Sequence, residues 1–142
     1  MRGLKSFVMV AVLVACGCSG DKTTAPGESM SGSFTLRTLN GSPLPGLLIQ
    51  DPTGKLEVTA GTLNFNADKT WSGTVTARFT SVGGGTTTQT IAGNGTYLLH
   101  GSDIVVHDNT NGRDYNGTVN GNALTASMQL IPGIVTETVW QK

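Results

Sequence analysis

From residue 33 to the C-terminus, apolar and polar positions alternate with a period of two. Phe34 and Leu36 share one face, and so do Leu63 and Phe65. The clearest run is 71–79, where Trp71, Gly73, Val75, Ala77 and Phe79 point one way and Ser72, Thr74, Thr76 and Arg78 the other. Tyr97 with Leu99, Ile104 with Val106, Tyr115 with Gly117 and Val119, and Leu124 with Ala126, Met128 and Leu130 continue the pattern. In the last run Val135, Val139 and Trp140 surround Glu137, and its inward face is ambiguous. Such one-sided alternation belongs to antiparallel strands with one buried face.

Turn clusters separate these runs at intervals of roughly 8 to 12 residues, the spacing of an all-β sandwich or barrel. They are Asn40-Gly41, Asp51-Pro52-Thr53-Gly54, Asn66-Ala67-Asp68-Lys69, Gly83-Gly84-Gly85, Gly101-Ser102, Asn109-Thr110-Asn111-Gly112, Asn120-Gly121 and Pro132-Gly133. Short links join neighbours as hairpins, which makes a meander. A meander of this many strands leaves two edges unless it closes. The expected fold class is therefore all-β, an antiparallel up-and-down meander closed into a barrel of eight to nine strands. An immunoglobulin-like sandwich is the alternative, but it needs Greek-key crossings and no long link is present to make them.

The N-terminus has another character. Arg2 and Lys5 precede the nine-residue apolar run FVMVAVLVA, too short to span a bilayer, which takes about 20 such residues. A basic stretch, a short apolar core and a small residue before the cut make a secretory signal. Leu13-Val14-Ala15-Cys16 resembles the lipobox of bacterial lipoproteins at all four of its positions. The resemblance implies a signal peptide over 1–15, a mature chain starting at a lipidated Cys16, and a membrane as partner through that anchor. Several acyl chains on one residue hold durably where one holds marginally. Gly17 rather than Asp after the lipidated Cys implies, by the same resemblance, the outer membrane of a Gram-negative-type cell. Residues 16–31, without hydrophobic periodicity and carrying Gly, Pro, Ser and Thr, read as a flexible tether. The domain proper is 32–142.

Within the domain, Ser33-Phe34-Thr35-Leu36 followed by Leu39-Asn40-Gly41-Ser42-Pro43-Leu44-Pro45, then Gly61-Thr62-Leu63-Asn64-Phe65 with Asp68-Lys69-Thr70-Trp71-Ser72, resembles the small lipocalin-like domains of bacterial lipoproteins. Gly95-Thr96-Tyr97 and the run 117–125 complete the likeness. It implies a barrel and carries no residue-specific ligand site.

Charge and chemistry narrow the function. Removing Arg2 and Lys5 takes the nine basic residues to seven against nine acidic, so no basic face exists for nucleic acid. Cys18 is left without a partner, since Cys16 is consumed by lipid. His100 and His107, with Asp103 and Asp108 nearby, fall short of a convincing metal set. Residues 108–114 read as a polar turn, not a calcium loop. Ser102 lacks a nucleophile elbow, and Glu57 and Glu137 have nothing to bring them together. Gly83-Gly84-Gly85 lacks the helix a phosphate cradle wants. No enzyme activity, metal or cofactor is expected.

What remains is the barrel interior. Trp71, Phe79, Tyr97, Tyr115 and Met128, with Trp140, are the candidates to line it, and Arg113 or the Tyr hydroxyls could orient a polar head. Gly73, Ala77, Gly117 and Ala126 leave room either for a ligand or for a neighbouring ring. Two functions follow. One is a non-enzymatic surface lipoprotein that binds a small apolar or amphipathic molecule. The other is a structural or interaction module of the envelope with a solid core.

Overall fold

The structure, a computed structural model, describes residues 29–142. The expected signal peptide, Cys16, Cys18 and the tether up to residue 28 lie outside the described residues. Ten strands follow one another: β1 (Gly32–Leu39), β2 (Ser42–Pro43), β3 (Gly46–Asp51), β4 (Gly54–Phe65) and β5 (Thr70–Ser81). Then come β6 (Thr86–His100), β7 (Asp103–Asp108), β8 (Arg113–Asn120), β9 (Ala123–Ile131) and β10 (Ile134–Gln141). There is no helix among the described residues.

The strand order is β2-β1-β10-β9-β8-β7-β6-β5-β4-β3, and β1 also pairs with β4. That second pairing, with Phe34 opposite Leu63, closes an antiparallel barrel of eight strands, β1 and β4 to β10. The two short strands β2 and β3 lie on the link between β1 and β4 and add to their edges. Closure is what a meander with an apolar face needs, since an open sheet would leave both edges unpaired. The β1–β2 turn shows the local chemistry: Asn40 and Gly41 both have positive φ, 48° and 79°. This is the pair of conformations a two-residue hairpin demands.

Strand length is uneven, and this shapes the molecule. β5 and β6 have 12 and 15 residues, whereas β7 and β8 have 6 and 8. β6 meets β7 only from Gly95 to His100. Residues 86–93 therefore rise above the shorter wall, with no strand of the described residues on that side. A second gap lies between β8 and β9. They pair only through 117–120 and 123–126, so residues 113–116 and 127–131 part without a ladder.

The two ends of the barrel differ. One carries the 66–69, 101–102 and 121–122 turns and the C-terminus, and it is filled. Phe65 packs edge-on against Phe34 and Tyr97 there, at centroid distances of 5.7 and 5.2 Å. Leu36, Ile104, Val106 and Leu124 complete this core. The Tyr97 hydroxyl accepts the Met30 N–H at 2.9 Å, and its one hydrogen serves Met30 O at 2.6 Å or Asn66 O at 2.7 Å. The other end carries the 82–85, 109–112 and 132–133 turns and is open.

The inward face of β10, ambiguous in the apolar pattern, is Thr136, Thr138 and Trp140, and Val135 points outward at 66% exposure. Two threonines go inside because hydrogen bonding satisfies the second of them. Thr138 Oγ1 donates to Ala126 O at 2.7 Å and accepts Trp140 Nε1–H at 2.8 Å.

Candidate functional site

The open end holds a cavity of about 200 Å³ between the tall β5–β6 wall and β9. Its origin is the lack of side chains on the tall wall. Gly73 and Gly93 stand opposite each other in register, both on the inward face. The Trp71 ring lies over Gly93, where an added β-carbon would stand 3.1 Å from Cη2. The Trp140 ring lies over Gly61 in the same way, at 3.0 Å. Both indoles are pinned by their N–H groups, Trp71 to His107 O at 2.9 Å and Trp140 to Thr138 Oγ1. Both fixed rings thus line the cavity, Trp71 from β5 and Trp140 from β10. Tyr115, Met128 and Leu130 line it as well.

Polar groups gather at the 108–112 turn. Asp108 ends β7, is 8% exposed, and lines the cavity. Its Oδ1 accepts the Thr110 N–H at 2.8 Å. Asn111 Nδ2 donates to the Tyr115 hydroxyl at 2.7 Å, which holds that ring against the turn. Gln129 adds an amide from β9.

Two grooves adjoin the cavity. One, at the β8–β9 gap, shares Tyr115 and Gln129 with it and is lined further by Arg113, Asp114 and Ser127. The other, on the inner face of the tall wall, shares Ile91 and Pro132 and includes Leu56, Ala77 and Phe79.

The six residues singled out from the sequence are thus divided. Trp71, Tyr115 and Met128 come together around the cavity. Phe79 lies on the same inward face but above the closed part of the barrel, 38% exposed, because β7 and β8 stop short of it. Tyr97 is buried at the filled end, its hydroxyl occupied by the backbone around Met30 and Asn66, and it does not line this cavity. Arg113 is exposed over the outer groove at the β8–β9 gap and does not line the cavity. Cys16 lies outside the described residues.

His107 Nδ1 meets Asp114 Oδ1 at 2.6 Å as a cross-strand pair between β7 and β8. Among the described residues no three His, Cys, Asp or Glu side chains gather as a metal site.

Asp108, Ile91 and Gly93 are cavity residues that the reading of motifs passed over. The signal for each is the period-two rule itself. Ile104, Val106 and Asp108 form one inward series, and Ile91, Gly93, Gly95, Tyr97 and Leu99 another. A carboxylate at the end of an apolar series reads first as a turn residue, which hid it.

Comparison of the chain with protein-family models, with curated proteins and with solved structures finds no match.

Proposed function

We propose that this chain is a membrane-anchored, extracytoplasmic lipoprotein whose lipocalin-like barrel binds a small apolar or amphipathic molecule at its open end. The observation that carries this is the cavity of about 200 Å³, lined by two pinned indole rings together with Tyr115 and Met128. Apolar walls with a few polar groups at one margin are the usual make-up of a small-ligand site. The lipobox-like Leu13-Val14-Ala15-Cys16 supports the anchor, and Gly17 supports the outer membrane.

The chain has two tryptophans, Trp71 and Trp140, and both line the cavity, so occupancy reads out as a change in their emission. Native mass spectrometry of protein purified from its own envelope is the test. A reproducible adduct that shifts tryptophan emission on removal is the expected result, and repeated absence of any adduct refutes the carrier reading. Cys16→Ser is expected to move the protein from the membrane fraction to the soluble one. Retention in the membrane refutes the anchor.

The interaction-module reading keeps support from one feature. Phe79 on β5 and Ile49 on β3, 38% and 41% exposed, lie on one face of the sheet with Leu56 of β4 between them. Loss of a co-purifying envelope protein in Phe79→Ser, with the cavity still empty, would favour it.

A further inference from the structure

We infer that the cavity selects a small protonated amine, its ammonium against Asp108 and its apolar body against Trp71 and Tyr115. This rests on the carrier reading and names the chemistry of its ligand.

Asp108 is a carboxylate only 8% exposed at the margin of an apolar cavity, a place where polar groups need partners. Among the described residues Asp108 has a single hydrogen-bond donor on its carboxylate, the neutral Thr110 N–H. No Lys, Arg or His nitrogen of the described residues lies within 4.0 Å of it. Arg113 is its cross-strand partner by register, yet the guanidinium makes no ion pair with it, and Arg113 lines the outer groove at the β8–β9 gap.

The second observation is the nearness of that carboxylate to an indole at the cavity wall. The point where a β-carbon on Gly93 would stand is 3.1 Å from Trp71 Cη2 and 4.0 Å from Asp108 Oδ1. Carboxylate and indole thus stand close together beside Gly93, and both line the cavity. An ammonium in the cavity meets the Asp108 carboxylate as a counter-charge, and the aromatic rings of Trp71 and Tyr115, which line the same cavity, attract cations over their faces. An anionic head would be repelled by Asp108. A hydroxyl would gain only about half of what a charged donor gains.

Size sets the body. A cavity of 150 Å³ takes a benzene ring, so about 200 Å³ takes a ring with a short arm, or about eight heavy atoms.

Tryptophan emission is titrated with three small probes that share one phenyl ring: benzylamine, benzyl alcohol and benzoate. The expected order places the amine ahead of the alcohol by about tenfold or more, with the carboxylate weakest. Asp108→Asn keeps the oxygen that accepts the Thr110 N–H, so the turn is retained, and the preference for amine over alcohol is expected to vanish while alcohol binding persists. Equal binding of amine and alcohol by the wild-type protein, or a preference that survives Asp108→Asn, overturns the amine assignment and leaves the carrier reading standing. Tightest binding by benzoate does the same. No emission change with any of the three, at concentrations up to the solubility limit, overturns the carrier reading for ligands of this size and the amine assignment with it. If Asp108→Asn melts at a lower temperature than wild type, the wild-type order of the three probes decides.

Discussion

Thr136 and Thr138 are neighbours on the inward face of β10, 1% and 0% exposed, and the same replacement by valine should move stability in opposite directions. Thr138 Oγ1 makes two hydrogen bonds, to Ala126 O at 2.7 Å and from Trp140 Nε1 at 2.8 Å. Valine fills the volume but removes both, and it leaves a buried indole N–H with no partner. An orphaned buried donor costs about 1–3 kcal/mol, and the buried methyl returns part of that. Thr138→Val is therefore expected to destabilise by about 2 kcal/mol. Thr136 Oγ1 has no hydrogen-bond partner among the described residues, so Thr136→Val removes an unsatisfied group and is expected to stabilise by about 1 kcal/mol. At about 4 °C per kcal/mol for a domain of this size, the melting temperatures should differ by about 12 °C, with wild type between them. Thermal unfolding followed by circular dichroism, backed by urea titration, measures both. A Thr138→Val variant as stable as wild type, or two shifts of the same sign, refutes the reasoning.

The filled and open ends should respond differently to truncation: Phe65→Ala, in the aromatic cluster with Phe34 and Tyr97, is expected to cost about 3–5 kcal/mol by urea unfolding. Phe79→Ala, more than a third exposed on the tall wall, should cost about 1 kcal/mol or less. A β-carbon at Gly95 would run into the carbonyl oxygen of His107, so Gly95→Ala should lose at least about 3 kcal/mol or the soluble fold altogether. Wild-type melting of that variant would refute the β6–β7 packing described above. Three carboxyls sit below their ordinary range: Asp51 chiefly through the Thr53 hydroxyl, Glu57 through Arg78 and then Lys55, and Asp68 chiefly through the Thr70 hydroxyl. A carboxyl lowered on folding stabilises the fold above its unfolded pKa, and the contribution is lost as pH falls through the folded value. Melting temperature should thus drop on acidification below the ordinary carboxylate range, and Thr53→Ala with Thr70→Ala should flatten that drop. An unchanged acid limb contradicts it.

Much of the barrel was legible in the chain because one rule, alternation with period two, holds wherever a strand buries one face. It placed Phe34, Leu63, Trp71, Val75, Tyr97, Ile104, Tyr115 and Leu124 inside, and all are buried. It was silent on β10 because Thr136 and Thr138 look polar, and what makes Thr138 acceptable inside is a partner on another strand. The open end was not legible, since it follows from strand lengths and ladder limits that turn residues do not encode. Phe79 obeys the alternation yet stands above the rim, because the strands across from it end early. Arg113, Asp108's cross-strand partner, lies over the outer groove at the β8–β9 gap while Asp108 lines the cavity, and the ladder between β8 and β9 stops before reaching Arg113.

Met30 is fastened to Tyr97 at one pole of the cylinder, and the cavity opens at the other. The chain therefore enters the barrel at the pole made of Phe34, Phe65 and Tyr97. Under the anchor and carrier reading proposed above, tension from Cys16 would fall on that aromatic knot, while a ligand would enter and leave at the distal pole.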